Sequence, residues 1–116
     1  MNIVLGSEFV KDIDKKYLIL ELDTFRVKDQ EPVTSYCLID TSNIVDLLQY
    51  EQWSLLHSKL IENYRKQNWN FCNQALEHLS GKWRGQLDSF YDTMQTRVSD
   101  LSQKELPADW DGYIDR

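Results

Sequence analysis

Residues 17–39 read YLILELDTFRVKDQEPVTSYCLI, and the fold turns on them. Leu18, Leu20 and Leu22 recur at period two, while Ile19, Phe25 and Val27 take the opposite parity. Successive side chains of a strand point to opposite faces, so this stretch reads as a strand with apolar groups on both sides, shifted by a bulge near Glu21 to Thr24. Lys28-Asp29-Gln30-Glu31-Pro32 forms a polar turn of ordinary hairpin length, and Val33 to Ile39 is the returning strand. Ile3 to Val10 offers a third strand at an edge. A lone hairpin is marginal in water, so it must pack on helices or on a second copy of itself.

Downstream the apolar period changes from two to the three-four rhythm of helices. Thr41, Ser42 and Asn43 are candidate N-caps, with Asn43 and Asp46 in a capping arrangement. Trp53, Leu56, Leu60 and Tyr64 carry a first helix to the neighbourhood of Lys66. Asn68 caps a second, in which Trp69, Cys72, Leu76 and Leu79 keep the rhythm and Gly81 supplies the stop. After Gly85, the residues Leu87, Phe90, Met94, Val98 and Leu101 make one apolar stripe, and Asp88 sits in the first turn, where the helix dipole favours a carboxylate. Pro107 disfavours helical geometry at Leu106 and closes the third helix there.

Trp53, Trp69 and Trp83 fall 16 and 14 residues apart, which helical geometry can place on related faces of one core. The tail after Pro107 carries Trp110 and Ile114, large apolar groups expected to fold back onto the helices as a plug. The expected fold is therefore α+β. An N-terminal antiparallel sheet of two or three strands (residues 1–40) packs on two or three helices (41–105), and the tail (106–116) closes the single domain.

At 116 residues the chain can bury roughly two thirds of its unfolded surface without disulfides or metal. Hydrophobic residues at 41% and charged residues at 28% are ordinary for a folded, soluble domain. The net charge of −6 argues against a nucleic acid or an anionic membrane as partner, since both call for a basic face. Residues 1–58 hold five Lys/Arg against ten Asp/Glu, and residues 59–116 hold eight against nine. Cys37 and Cys72 lie in differently patterned segments without a CxxC or a His at ligand spacing, so they read as buried thiols in a reducing compartment. Met1-Asn2-Ile3-Val4-Leu5-Gly6 has neither a basic n-region nor a long apolar run, which points to the cytoplasm.

Chemistry is sparse. Glu21 with Asp23 and Asp88 with Asp92 are carboxylate pairs that share a face, but neither has a sequence-local basic partner. His57 and His78 lack ligand spacing, and no nucleophile stands beside a base, so no catalytic residue, no metal site and no cofactor is expected. Ser80-Gly81-Lys82-Trp83-Arg84-Gly85 gathers positive charge without the spacing of a phosphate loop. With Arg65 and Trp69 the residues Lys82, Trp83 and Arg84 could form a small basic, aromatic patch able to stack a base or hold an anion.

Tyr64, Arg65, Trp69 and Ala75, followed by Pro107-x-Asp109-Trp110-Asp111-Gly112, resemble the helical tail that follows the catalytic domain in some class III nucleotidyl cyclases. The resemblance runs from Tyr64 onward and implies only that a Trp-Asp-Gly stretch closes a helical unit with Trp110 as its plug. The chain has no room for the cyclase catalytic domain and none of its metal-binding aspartate motifs, so the activity is not carried over. The leading expectation is a non-enzymatic protein-interaction or assembly module that is homodimeric, pairing with itself or with another protein. The alternative is a regulatory domain binding a small ligand or nucleotide at the basic, aromatic patch.

Overall fold

A computed structural model of the chain describes residues 2–6, 17–41 and 47–115. Its elements are β1 (Asn2–Leu5), β2 (Tyr17–Arg26), β3 (Val33–Asp40), α1 (Leu47–Arg65), α2 (Trp69–Leu79), a 3-10 turn (Trp83–Gly85), α3 (Asp88–Leu101) and β4 (Ile114–Asp115). The fold is α+β with the sheet N-terminal and the helices C-terminal. The rest of the Ile3–Val10 strand, and the Ser42, Asn43 and Asp46 capping arrangement, lie outside the described residues.

The sheet has the order β1-β3-β2-β4. β2 and β3 form the hairpin, and their register slips where expected: Glu21 faces Tyr36 but Thr24 faces Thr34. Leu22 and Asp23 thus stand together opposite Ser35, a bulge that bends β2 and re-aims its last residues. Where only antiparallel strands were expected, the tail adds a parallel one. Ile114 pairs with Phe25 and Asp115 with Arg26. Ile114 therefore docks on the sheet edge rather than on the helices, because Gly112, at φ +78°, turns the chain there.

Leu20, Leu22, Cys37 and Ile39 present one buried sheet face to the helices. Tyr50, His57, Leu60, Ile61 and Tyr64 of α1, Cys72, Ala75, Leu76 and Leu79 of α2, and Phe90, Tyr91, Met94 and Val98 of α3 fill the space opposite. The short connection between α1 and α2 makes them antiparallel neighbours. Asn68 stands at the N-cap position without a capping bond. Its amide donates instead to Asn63 Oδ1 at 3.1 Å. The apolar stripe of α3 stops at Leu101, and so does the helix, five residues before the expected stop at Leu106. Ser102, Gln103, Lys104 and Glu105 are all exposed and give a further turn nothing to bury, so packing rather than Pro107 sets the end.

The tryptophans belong to one core but form two groups at its ends. Trp83, fully buried, meets Tyr50 and Trp53 edge to face at 5.3 and 5.6 Å. Trp69 packs against Tyr64 and Trp110 at 5.9 and 5.8 Å. Among the described residues no helix is long and apolar enough to cross a membrane.

Candidate functional site

The bulge in β2 is the point where the helices grip the sheet. His57 of α1 reaches the Glu21 carbonyl with Nε2 at 2.5 Å. Arg65, at the end of the same helix, donates through Nη2 to Glu21 Oε1 at 2.6 Å and to Thr24 Oγ1 at 3.2 Å. From α3, Arg97 donates to Asp23 Oδ1 at 2.7 Å and Oδ2 at 3.3 Å, a forked pair whose side chains are only 21% and 15% exposed. The bulge separates Glu21 and Asp23, which a regular strand would have aimed alike, and sends each to a different arginine. Both carboxylates thereby serve as anchors of the fold.

The same geometry divides the basic, aromatic patch. Arg65 and Trp69 flank the turn into α2, whereas Lys82, Trp83 and Arg84 lie beyond its other end. Eleven residues at 1.5 Å of rise keep these groups roughly 16 Å apart. Lys82 places its ammonium 5.6 Å from the Trp53 ring, and Trp83 is sealed in the core. Arg84 is exposed, on a left-handed turn in which Trp83, Arg84 and Gly85 all have positive φ (57°, 55° and 77°). Among the other candidates, Asp88 Oδ1 accepts the Gly81 N–H at 2.9 Å, while Asp92 and His78 are exposed. No three His, Cys, Asp or Glu side chains come together as a metal site among the described residues.

The tail crosses the Arg65 end. Trp110 lies 5.4 Å from Tyr64, and Tyr113 stacks beneath two guanidinium groups, Arg26 at 5.3 Å and Arg65 at 5.9 Å. Arg26 also pairs with Asp111, and with Asp115 at 3.6 Å. A Cβ on Gly112 would lie 3.1 Å from Arg65 Cγ and 3.3 Å from Tyr64 Cε1. The Phe25–Arg26 end of the β2 edge is therefore covered by a short strand framed in charge, a common protection of an exposed edge.

The other edge differs. Ile3 faces Cys37 and Leu5 faces Ser35 across the β1–β3 ladder, so these pairs share the helix-facing side of the sheet. Cys37 and Ser35 are 0% and 6% exposed, but Ile3 and Leu5 are 50% and 55% exposed, because the helices among the described residues stop short of β1. Between them lies an open groove of about 240 Å³, floored by Leu22, Phe25 and Ser35 and walled by Ser89, Phe90 and Thr93 of α3, with Ile3 at its lip.

Backbone direction completes this edge. The Gly6 N–H donates to the Thr34 carbonyl at 2.9 Å, toward β3. In a trans peptide the preceding carbonyl points the opposite way, so the Leu5 C=O faces outward, and strand alternation puts both polar groups of Ile3 and Leu5 on that outer side. Among the described residues no strand pairs with them. Asn2, Ile3, Val4 and Leu5 include no charge and no proline, the usual guards of such an edge. An edge strand could be anticipated from the sequence, but its apolar overhang could not, because overhang depends on where the helices end. Compared with family models, with curated proteins and with solved structures, the chain shows no significant match.

Proposed function

We propose that this chain is a non-enzymatic assembly module that works as a homodimer, joined through the outer edge of β1. The observation that carries the reading is the pairing of uncovered Ile3 and Leu5 with an uncharged, outward-facing strand edge. Strand edges of this kind pair readily with another chain, and an antiparallel pair across a two-fold axis satisfies both copies with the same groups. Two copies that each carry a net charge of −6 repel, and an uncharged edge is where they approach at least electrostatic cost. The division of Arg65 and Trp69 from Lys82, Trp83 and Arg84 removes the support for a ligand site at that patch. A cytoplasmic setting suits Cys37 and Cys72, which are buried and form no disulfide.

Sedimentation equilibrium of the wild type and of Leu5→Lys tests the proposal. The wild type should have twice the 13.8 kDa chain mass, and the lysine, which places like charges across the axis, should return it to the single-chain mass. A wild type that remains at the single-chain mass up to the highest attainable concentration overturns the proposal.

A further inference from the structure

The β1 edge restricts how a second copy can add to it, and this inference rests on the homodimer reading above. The polar groups of Ile3 and Leu5 point outward, while those of Asn2 and Val4 point toward β3. In an antiparallel ladder, outward-pointing residues of one strand must face outward-pointing residues of the other. The apolar side chains also need cover, and the two that overhang are again Ile3 and Leu5, on the helix-facing side.

We infer that the two-fold axis passes through Val4, so that Ile3 of each copy faces Leu5 of the other. In this register the Ile3 N–H donates to the Leu5 carbonyl of the second copy, and the Leu5 N–H returns the bond to the Ile3 carbonyl. The symmetry operation repeats the exchange. Each Ile3 side chain then packs beside a Leu5 side chain and roofs the end of the groove under α3. An axis through Ile3 or Leu5 would leave one of the two overhanging residues opposite something other than its complement.

The axis stands perpendicular to the sheet, so the helices of both copies lie on one side. One continuous sheet runs β4-β2-β3-β1 across the axis into β1-β3-β2-β4 of the second copy. Because the contact is isologous it uses the β1 edge of both copies, and the assembly closes at two.

Position 4 reports this register directly. Val4 is a non-hydrogen-bonded pair with itself across the axis, with Cα atoms about 4.5 Å apart, within the disulfide range of about 4.4–6.8 Å. Ile3 is offset from its own copy by two residues along the strand and one strand spacing sideways, about 8 Å, beyond that range. Full-length Val4→Cys and Ile3→Cys, oxidised under mild conditions, are read by non-reducing electrophoresis beside sedimentation of the unmodified protein. Buried Cys37 and Cys72 should leave the wild type uncrosslinked.

The expected result is a doubling of mass for Val4→Cys and none for Ile3→Cys. Cross-linking at Ile3 but not Val4 overturns the register. A wild-type dimer in which neither cysteine cross-links overturns the β1 interface while leaving the homodimer standing. A monomeric wild type that fails to cross-link removes both.

Discussion

The Tyr91 hydroxyl lies 2.9 Å from His57 Nδ1 and 3.0 Å from Trp83 Nε1, and these two contacts fix the protonation of a fully buried histidine. An indole N–H can only donate, so Tyr91 accepts from Trp83 and has one hydrogen left to give. That hydrogen goes to Nδ1, which must be bare, and Nε2 carries the proton that binds the Glu21 carbonyl. His57 is the neutral Nε2–H tautomer, and β2, α1, α3 and the turn before α3 are joined by one directed chain of bonds. Burial raises Tyr91 well above the ordinary phenol range, which keeps its hydroxyl hydrogen in place.

Tyr91→Phe removes the one group that serves both neighbours. It leaves an indole donor and an imidazole acceptor buried without partners, at a cost of about 2–4 kcal/mol. Urea unfolding should show this as a lower midpoint with an unchanged slope. A loss below about half a kilocalorie per mole, by the same relation, would mean that water enters and replaces the hydroxyl.

Acid should weaken the fold through His57. Burial lowers its pKa from 6.5, outweighing the opposite pull of the Glu21 carbonyl and the Glu21 charge. Below pH 6.5 the unfolded chain therefore binds a proton that the folded chain does not. The contribution of the neutral histidine is complete above that value and is lost as pH falls toward the folded pKa, by up to about 1.4 kcal/mol per pH unit. Urea midpoints measured from pH 7.5 to 5 should fall in the wild type and in His78→Gln, whose side chain is exposed. His57→Gln should flatten that slope.

Arg84 pays for the burial of Trp83 with a left-handed backbone, φ 55° and ψ 30°. Arg84→Gly relieves a conformation that costs an L-residue about 1–2 kcal/mol, and should raise the melting temperature by about 3–6 °C. A β-branched residue at the same site, Arg84→Val, should lower it. Differential scanning calorimetry distinguishes the two directions.

Gly112→Ala acts on the tail alone. The added carbon meets Arg65 and Tyr64, and its φ of +78° disfavours any side chain, so docking should weaken by about 1–3 kcal/mol. Amide exchange at Tyr113 and Ile114 should accelerate, with little change in the amides of α3. Uniform acceleration across the chain would show that the tail and the body unfold as one unit.

The hairpin, its bulge and the helices were legible because each leaves a local mark: period two, a slipped parity at Glu21–Thr24, and steps of three and four. His57 left such a mark too, since it continues the buried face of Tyr50, Trp53, Leu60, Ile61 and Tyr64. A histidine in an apolar stripe reads as exposed or hydrogen-bonded, and only its contacts with Tyr91 and the Glu21 carbonyl decide for the second. The arginine partners of Glu21 and Asp23 left none, because Arg65 and Arg97 meet the bulge only after α1 and α3 have packed. The parallel pairing of β4 was hidden for the same reason, and a two-residue strand has no period to detect. At the candidate interface the apolar composition of β1 was visible, whereas its face and the direction of its polar groups required the register with β3.

The pairing of Phe25 with Ile114 also sets an order of events during synthesis. The β2–β3 hairpin and the α1–α2 pair join residues close in sequence and can form while translation continues, but β4 joins Phe25 to Ile114, 89 residues further on. The β2 edge and the ledge of Tyr64 and Trp69 therefore stay open until Trp110 to Asp115 have emerged from the ribosome. For that interval the Phe25–Arg26 end of the β2 edge lacks its partner strand, and the chain acquires it only when Ile114 and Asp115 arrive.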